Sequence, residues 1–191
     1  MDGLQNVDNQ TNTLKGVLAS AKHFMADGAT TFGCNMGNSN VFNFRQFIEH
    51  NTPGYVGAVK ANVGSVMVSY SAINWIPNSI NSQYLLGLLR EDLNFRGFTI
   101  SDYNDLSLHS QLLMPRTFMN FTEEDQAFAA MVNGGVDMFM VSHKAMVERI
   151  HKHGKKMEER GFIPRNRLEE SVARILSVKM AMGLVEKAKL N

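Results

Sequence analysis

The sequence predicts an α/β fold in which helices flank a parallel sheet. Four short apolar segments each follow a glycine, and each ends in polar residues. Stretches with helical spacing of apolar residues separate these segments. Apolar strands that alternate with helices are typical of parallel sheets, whose strands are buried on both faces.

The four predicted strands lie near 17–22, 65–70, 98–101 and 136–141. β-Branched and aromatic residues, such as Phe98, Thr99 and Ile100, suit a buried strand. The preceding glycines are Gly16, Gly64, Gly97 and Gly135. The polar ends are Lys22-His23, Ser69-Tyr70, Ser101-Asp102 and Ser142-His143.

Helices are expected near 44–50, 55–61, 83–92, 122–132, 144–160 and 167–181. Thr122 is a suitable N-cap because acidic residues follow it in the first turn. Gly183 is a suitable C-cap for the last helix. Residues 25–45 contain several Gly and Asn residues and predict a long loop, a feature that is often functional.

Composition limits the class of protein. The 191 residues are 44% hydrophobic and carry a net charge of +1, which suits one domain with a core and argues against a nucleic-acid partner. No apolar run reaches the length of a membrane span, and residues 1–5 lack the features of a signal peptide. The single cysteine, Cys34, excludes an internal disulfide. No motif predicts a metal or a cofactor.

The polar strand ends predict one shared site, because ligands of parallel α/β folds bind beyond the carboxyl ends of the strands. Lys22 and His23 supply hydrogen-bond donors, and Asp27 and Asp102 supply carboxylates. Together with the ring of Tyr103, these groups suit a ligand rich in hydroxyl groups. Two simpler interpretations remain: strand ends are polar because loops begin there, and an Asp at this position can cap a helix or begin a turn.

Other charged residues are interpreted as structural. Asp137 lies inside the fourth predicted strand and is expected to be a turn or pairing residue. His151 and His153 lie in a Lys-rich helix and are expected on its solvated face.

Several motifs together resemble glycoside hydrolase family three. Lys22-His23-Phe24 with Asp27-Gly28 resembles the family's KHF-x-x-DG element, and Ile100-Ser101-Asp102-Tyr103 resembles its nucleophile element. The resemblance continues through Val66–Ser71, Gly135–Met138, Arg174–Lys179 and Met182–Leu184, and so covers nearly the whole chain in order. Within the family, the motifs look like those of β-glucosidases and exo-β-glucanases of the plant and microbial kind.

The resemblance implies retaining hydrolysis of terminal non-reducing β-D-glucosyl residues, as in glucan catabolism. Asp102 would be the nucleophile, and Lys22 and His23 would hold hydroxyl groups of the sugar. Met67, Tyr70 and Tyr103 would line the same subsite. The implied ligand is a β-glucoside or β-glucan oligosaccharide. Family members are often secreted or lysosomal.

The sequence also departs from the family pattern. Tyr103 stands where many members have Trp, and Ser79 stands where many have His. The family's catalytic domain is a (β/α)₈ barrel of about 250 residues, and this chain has four of its strands. We therefore expect one partial domain over 1–191, the C-terminal half of the barrel, with 184–191 beginning a linker to an absent α/β sandwich domain.

The expected partners are the missing barrel half and the sandwich domain, or a second copy of the chain, because an open half-barrel exposes a sheet edge. No Asp or Glu matches the acid/base of the family, so the isolated chain is expected to be inactive. The alternative is a non-catalytic carbohydrate-binding or regulatory half-barrel that pairs with another chain. An aldolase-type role of Lys22 is less favoured, because the surrounding residues follow the glycosidase pattern.

Overall fold

A parallel sheet forms the centre of the structure, a computed structural model that describes residues 2–8, 11, 13–108 and 124–187. Its strands are β3 (Ser20–Phe24), β5 (Ser65–Val68) and β8 (Phe98–Ile100), with β5 in the middle. Ser20 pairs with Ser65, and Ser65 pairs with Phe98, so the three strands start level with one another. The predicted α/β class and the parallel direction of these strands are confirmed.

Helices surround this sheet. The longer ones are α2 (Phe44–Asn51), α3 (Pro53–Lys60), a π-type helix (Gln83–Asp92), α5 (Glu124–Gly134), α6 (Lys144–Glu159) and α7 (Arg165–Ala181). One-turn helices are α1 (Asp2–Gln5), α4 (Asp105–Leu108) and α8 (Leu184–Lys187). The positions of the six longer helices agree with the sequence prediction to within a few residues, and the one-turn helices were not predicted. The predicted cap Thr122 lies outside the described residues.

The predicted 25–45 loop has short ordered elements. It contains two 3₁₀ turns (Asp27–Ala29 and Thr31–Gly33) and the strand β4 (Asn38–Ser39). β4 pairs in parallel with β6 (Ala72–Ile73), which forms a hairpin with β7 (Ile76–Pro77). A third 3₁₀ turn, Asn78–Ile80, follows this hairpin.

The first predicted strand begins later than expected. The antiparallel pair of β1 (Val7–Asp8) and β2 (Thr13–Leu14) leads into it, and Val17 donates its backbone N–H to Leu4 instead of joining the sheet. The buried Gln5 amide fixes this arrangement, because its Oε1 accepts from the N–H groups of Ala19 (3.1 Å) and Gly64 (2.9 Å).

The fourth predicted strand, 136–141, is reduced to one parallel bridge between Ile100 and Met138. Backbone bonds remain around this bridge, where the N–H of Met138 donates to the carbonyl of Thr99 and the N–H of Ser101 donates to the carbonyl of Met138. Side chains make further bonds between the two segments. Asp137 Oδ2 accepts the backbone N–H of Thr99 at 3.0 Å, and Ser101 Oγ accepts the N–H of Met140 at 3.0 Å. The strand prediction was therefore wrong for most of this segment, although its direction relative to β8 is parallel.

Asp137 anchors two other elements, the π-type helix and α7, to β8. Its carboxylate is fully buried and lies 2.6 Å from Arg90 Nη2 of the π-type helix. Its other oxygen accepts from Arg167, Ser171 and Arg174 of α7, at 2.8–3.0 Å. The structure thus agrees with a pairing role for Asp137.

Close backbone contact explains the glycine before β8. A Cβ at Gly97 would lie 2.2 Å from the carbonyl oxygen of Gly64, the residue just before the neighbouring strand β5. Gly135, two residues before Asp137, has a φ of +123°. Residues with L side chains rarely adopt this backbone conformation.

The core lies between the sheet and the helices. Its largest fully buried side chains include Phe24, Met25, Leu85, Leu89, Met131 and Met157. Phe128 of α5 stacks on Phe139 at 4.8 Å, which joins α5 to the segment after Asp137. Within the described part of the chain, no helix is long and apolar enough to cross a membrane.

The prediction for His153 was wrong. Its side chain is 15% exposed and lies between α6 and α5, where Nδ1 contacts Asp125 and Nε2 is 3.4 Å from Glu124 Oε2. His153 shares a face of α6 with the buried Met157, and that face packs on α5. His151 is exposed, as expected.

We expect Asp137→Asn to lower the free energy of unfolding by about 3–5 kcal/mol, because it leaves three buried or partly buried arginines without their carboxylate. Denaturant unfolding measures the loss. Glu49→Gln, which removes an exposed pair with Arg45, is the control and should cost under about 1 kcal/mol. Equal losses for the two variants would contradict the anchoring role of Asp137.

The same carboxylate should make stability depend on pH. Burial alone would raise the pKa of Asp137, but Arg90, the Thr99 N–H, Arg167 and Ser171 outweigh it and hold the pKa below its usual value. The stabilisation is fully present above the unfolded-state pKa of about 3.9 and is lost as pH falls through the lower folded-state pKa. Acid titration of wild type and Asp137→Asn should therefore show a shallower loss of stability in the variant.

Candidate active site

The carboxyl ends of β3, β5 and β8 bring the predicted site residues to one edge of the sheet. His23 lies near the end of β3, Tyr70 follows β5, and Asp102 follows β8. The structure brings these three side chains together. Lys22 precedes His23 on the same strand and is exposed.

His23 lies between two carboxylates. Its Nδ1 is 3.1 Å from Asp27 Oδ2, and its Nε2 is 3.5 Å from Asp102 Oδ2. Asp27 thus fixes the orientation of the imidazole whose other nitrogen faces Asp102. A histidine in this position can donate a hydrogen bond to Asp102 or, after a small shift, to a ligand hydroxyl.

Asp102 is accessible but well fixed. Its side chain is 14% exposed, and Oδ1 accepts the backbone N–H of Tyr103 at 2.7 Å. Oδ2 faces His23. The main chain around it is held from the other side, because the N–H of Ser101 donates to the carbonyl of Met138 at 2.9 Å.

Tyr70 adds a phenol beside this carboxylate. Its hydroxyl donates to the carbonyl oxygen of Tyr103. Burial raises the pKa of Tyr70, and the charges of Asp102 and Asp105 raise it further. Tyr70 therefore keeps its proton at neutral pH and remains a hydrogen-bond donor next to Asp102.

A second layer of polar residues supports Asp27. Ser69 Oγ donates to Asp27 Oδ1 at 3.4 Å and shares a hydrogen bond with Ser71 Oγ at 2.8 Å. Asn78 Nδ2 donates to the carbonyls of Ser71 (2.8 Å) and Met25 (2.9 Å). The sequence analysis identified Ser69 only as a polar strand end and missed Ser71 and Asn78, because the spacing of these small polar residues does not distinguish them from ordinary loop residues.

Two further predicted residues occupy different environments. Met67 is buried on β5 and alternates to the face opposite Val66 and Val68, which belong to the hydrophobic core. Tyr103 is 49% exposed, so its ring is available beside the carboxylate.

The arrangement offers one fixed carboxylate with three hydrogen-bonding groups nearby, which suits a polar, uncharged ligand. Among the described residues, no group of three or more His, Cys, Asp or Glu side chains could hold a metal ion. The polar side chains that meet at this edge include Asp102, His23, Asp27 and Tyr70.

Comparison with known proteins gives consistent results. The family described as "Glycosyl hydrolase family 3 N terminal domain" matches residues 1–178. A β-xylosidase of Formosa agariphila is 31% identical over 194 residues, and a periplasmic β-glucosidase of Salmonella typhimurium is 28% identical over 168 residues. These matches cover 97% and 88% of this chain.

Solved structures show the same relationship. A β-glucosidase from Listeria innocua superposes with a TM-score of 0.81 at 27% identity, over 97% of this chain. An exo-1,3/1,4-β-glucanase from a Pseudoalteromonas species superposes with a TM-score of 0.80 at 26% identity, over 96% of this chain.

The chain is much shorter than these proteins. It spans 25% and 20% of the two sequence relatives, and 24% and 21% of the two structures. The match nevertheless extends over almost all of the chain. The chain therefore belongs to glycosyl hydrolase family 3.

Proposed function

We propose that this chain is the part of a family 3 glycosidase barrel that carries the nucleophile, and that the complete enzyme hydrolyses terminal non-reducing β-D-glucosyl residues with retention. The observation that carries the proposal is the Asp102 carboxylate, held at the exit of a parallel strand with His23 and Tyr70 beside it. The β-glucosidases and β-xylosidases among the relatives support a glycoside substrate.

Asp102 is the proposed nucleophile. Its carboxylate attacks the anomeric carbon and forms a glycosyl ester, while the glycosidic oxygen leaves with a proton from a separate acid. Water then cleaves the ester and restores both groups. The backbone N–H of Tyr103 holds one carboxylate oxygen, which leaves the other oxygen to react.

The neighbouring residues hold the sugar. Lys22 and His23 donate to its hydroxyl groups, and Asp27 keeps the imidazole in position for this contact. Tyr70 donates from a phenol that stays protonated. Met67 lines the subsite, and the ring of Tyr103 provides a face for the sugar ring. The similar β-glucosidase from Listeria innocua was solved in complex with glucose, which supports a ligand of this size.

The acid and the other sugar-binding groups are proposed to come from parts of the enzyme outside this chain. A retaining glycosidase needs a second carboxyl group about 5–5.5 Å from the nucleophile. We propose that the missing half of a (β/α)₈ barrel and an α/β sandwich domain after residue 184 supply this acid and further sugar contacts. The position of β3 at the edge of the described sheet supports a missing neighbour. The alternative function is a non-catalytic half-barrel that binds carbohydrate and pairs with another chain. It would use the same open edge of the sheet for that pairing.

We expect negligible hydrolysis of 4-nitrophenyl β-glucoside by the purified chain, because losing general acid assistance costs about 10²–10⁴ in rate and lost positioning costs more. Release of 4-nitrophenol measures turnover, with Asp102→Asn as the control.

Robust turnover by the wild-type chain that Asp102→Asn abolishes would show that the chain needs no missing domain. Turnover that survives in Asp102→Asn would show that Asp102 is not the nucleophile.

Exposed apolar side chains predict self-association of the isolated chain. Phe32 and Phe42, in the segment that follows β3, are 97% and 96% exposed. We expect concentration-dependent association in sedimentation velocity, and less association for the Phe32→Ser, Phe42→Ser double variant.

The matched control is Val147→Ser, which removes an exposed apolar side chain from α6. An equal effect of this control would show that general hydrophobicity, and not the segment after β3, causes the association.

A further inference from the structure

A chain of hydrogen bonds runs from the interior of the protein to Asp27 at the candidate active site. It passes through Asn78, Ser71 and Ser69, which are each at most 1% exposed. Asn78 Nδ2 lies 3.1 Å from Ser71 Oγ, which lies 2.8 Å from Ser69 Oγ. Ser69 Oγ in turn lies 3.4 Å from Asp27 Oδ1. We call Asn78, Ser71 and Ser69 the polar relay.

The two ends of the relay determine the direction of its hydrogen bonds. The amide Nδ2 of Asn78 can only donate, and the carboxylate of Asp27 can only accept. Ser69 Oγ accepts the backbone N–H of Ser71 at 3.1 Å, so its own hydrogen is available for Asp27. The Ser71 hydroxyl then donates to Ser69. Its other acceptor, the Met25 carbonyl, is more distant at 3.5 Å and already accepts from Asn78 at 2.9 Å.

This direction makes Asp27 an acceptor toward His23. Asp27 Oδ1 accepts from Ser69, and Oδ2 faces His23 Nδ1 at 3.1 Å. Because a carboxylate has no hydrogen to give, the bond to His23 forms only when Nδ1 carries a proton. The Asp27 side chain is 40% exposed, so without the contact from Ser69 it is free to turn toward water.

We propose that the three residues of the polar relay are positioning residues that act through Asp27 and keep a proton on His23 Nδ1. His23 Nε2 is then the nitrogen that faces Asp102 Oδ2, at 3.5 Å, and the proposed sugar subsite. At this nitrogen the imidazolium donates to a hydroxyl group, whereas the neutral imidazole accepts from one. The inference rests on the proposed function and deepens it, because it explains how the histidine that contacts the sugar is held.

The position of this proton is measurable without catalysis. Long-range proton–nitrogen correlation spectra distinguish the two neutral tautomers of a histidine from each other and from the imidazolium. The chain has six histidines, and His23→Gln identifies the signals of His23 by their loss. At about pH 8, where an ordinary histidine is neutral, we expect the full 191-residue chain to carry a proton on His23 Nδ1.

Variants of the relay should move this proton in a defined order. Ser69→Ala removes the hydroxyl that holds Asp27, so the signals of His23 should shift toward the tautomer that is protonated on Nε2. Ser69→Thr keeps a hydroxyl at the same position and should restore the wild-type pattern. Ser71→Ala leaves Ser69 in place without its donor and should cause a smaller shift than Ser69→Ala.

The matched control is Ser65→Ala. Ser65 is a buried serine on β5, the strand that Ser69 follows, and its hydroxyl donates to the carbonyl of Ala19 at 3.2 Å. This variant should leave the signals of His23 unchanged. Circular dichroism shows whether each variant is folded. An unchanged His23 pattern in folded Ser69→Ala, an equal shift in Ser65→Ala, or a wild-type chain without a proton on Nδ1 would overturn the proposal.

A titration with methyl β-D-glucoside separates this inference from the proposed function. The sugar should move the Nε2 signal of His23 and leave the proton on Nδ1, and Ser69→Ala should weaken its binding severalfold. If the sugar leaves His23 unchanged while the Nδ1 proton depends on Ser69, the relay stands and the sugar site is wrong. If the sugar binds and Ser69→Ala changes neither binding nor the Nδ1 proton, the sugar site stands and the relay is wrong.

Discussion

The buried carboxylate of Asp137 is the interaction on which the structure depends. It receives hydrogen bonds from the π-type helix through Arg90, from β8 through Thr99, and from α7. Burial lowers the pKa of Arg90 to about 10, so this partner keeps its charge at neutral pH. A buried ion pair repays its desolvation only when its remaining hydrogen-bonding positions are filled, and here α7 fills the second oxygen through Arg167, Ser171 and Arg174.

This anchor also determines where Asp102 lies. The segment after Asp137 accepts the N–H of Ser101 at the carbonyl of Met138 and the N–H of Asn104 at the carbonyl of Met140, both at 2.9 Å. These bonds hold the chain on both sides of Asp102, while His23 approaches from β3. The site is therefore built on the sheet and not on a free loop, which suits the proposed role of Asp102 in attacking one ring carbon of a sugar.

The sequence predicted the larger features and failed where side-chain bonds and packing decide the local structure. The apolar strands, the helices and the meeting of His23, Tyr70 and Asp102 follow from periodicity and from the parallel direction of the strands. The short extent of the strand in segment 136–141 did not, because side-chain bonds of Asp137 and Ser101 accompany only a few backbone bonds there, and no local pattern reveals this. His153 was misplaced because a Lys-rich helix suggests a solvated face, whereas the packing of α5 decides which side is buried.

The central claim is that Asp102 is the nucleophile, and covalent trapping tests it most directly. The reagent is 2,4-dinitrophenyl 2-deoxy-2-fluoro-β-D-glucoside, whose acidic leaving group needs little protonation and therefore reduces dependence on the missing acid. After long incubation of the chain, peptide mass spectrometry should find one fluoroglucosyl group on the peptide that contains Asp102, and none in Asp102→Asn. A label on Asp27, equal labelling of Asp102→Asn, or no label on the folded wild-type chain would contradict the account.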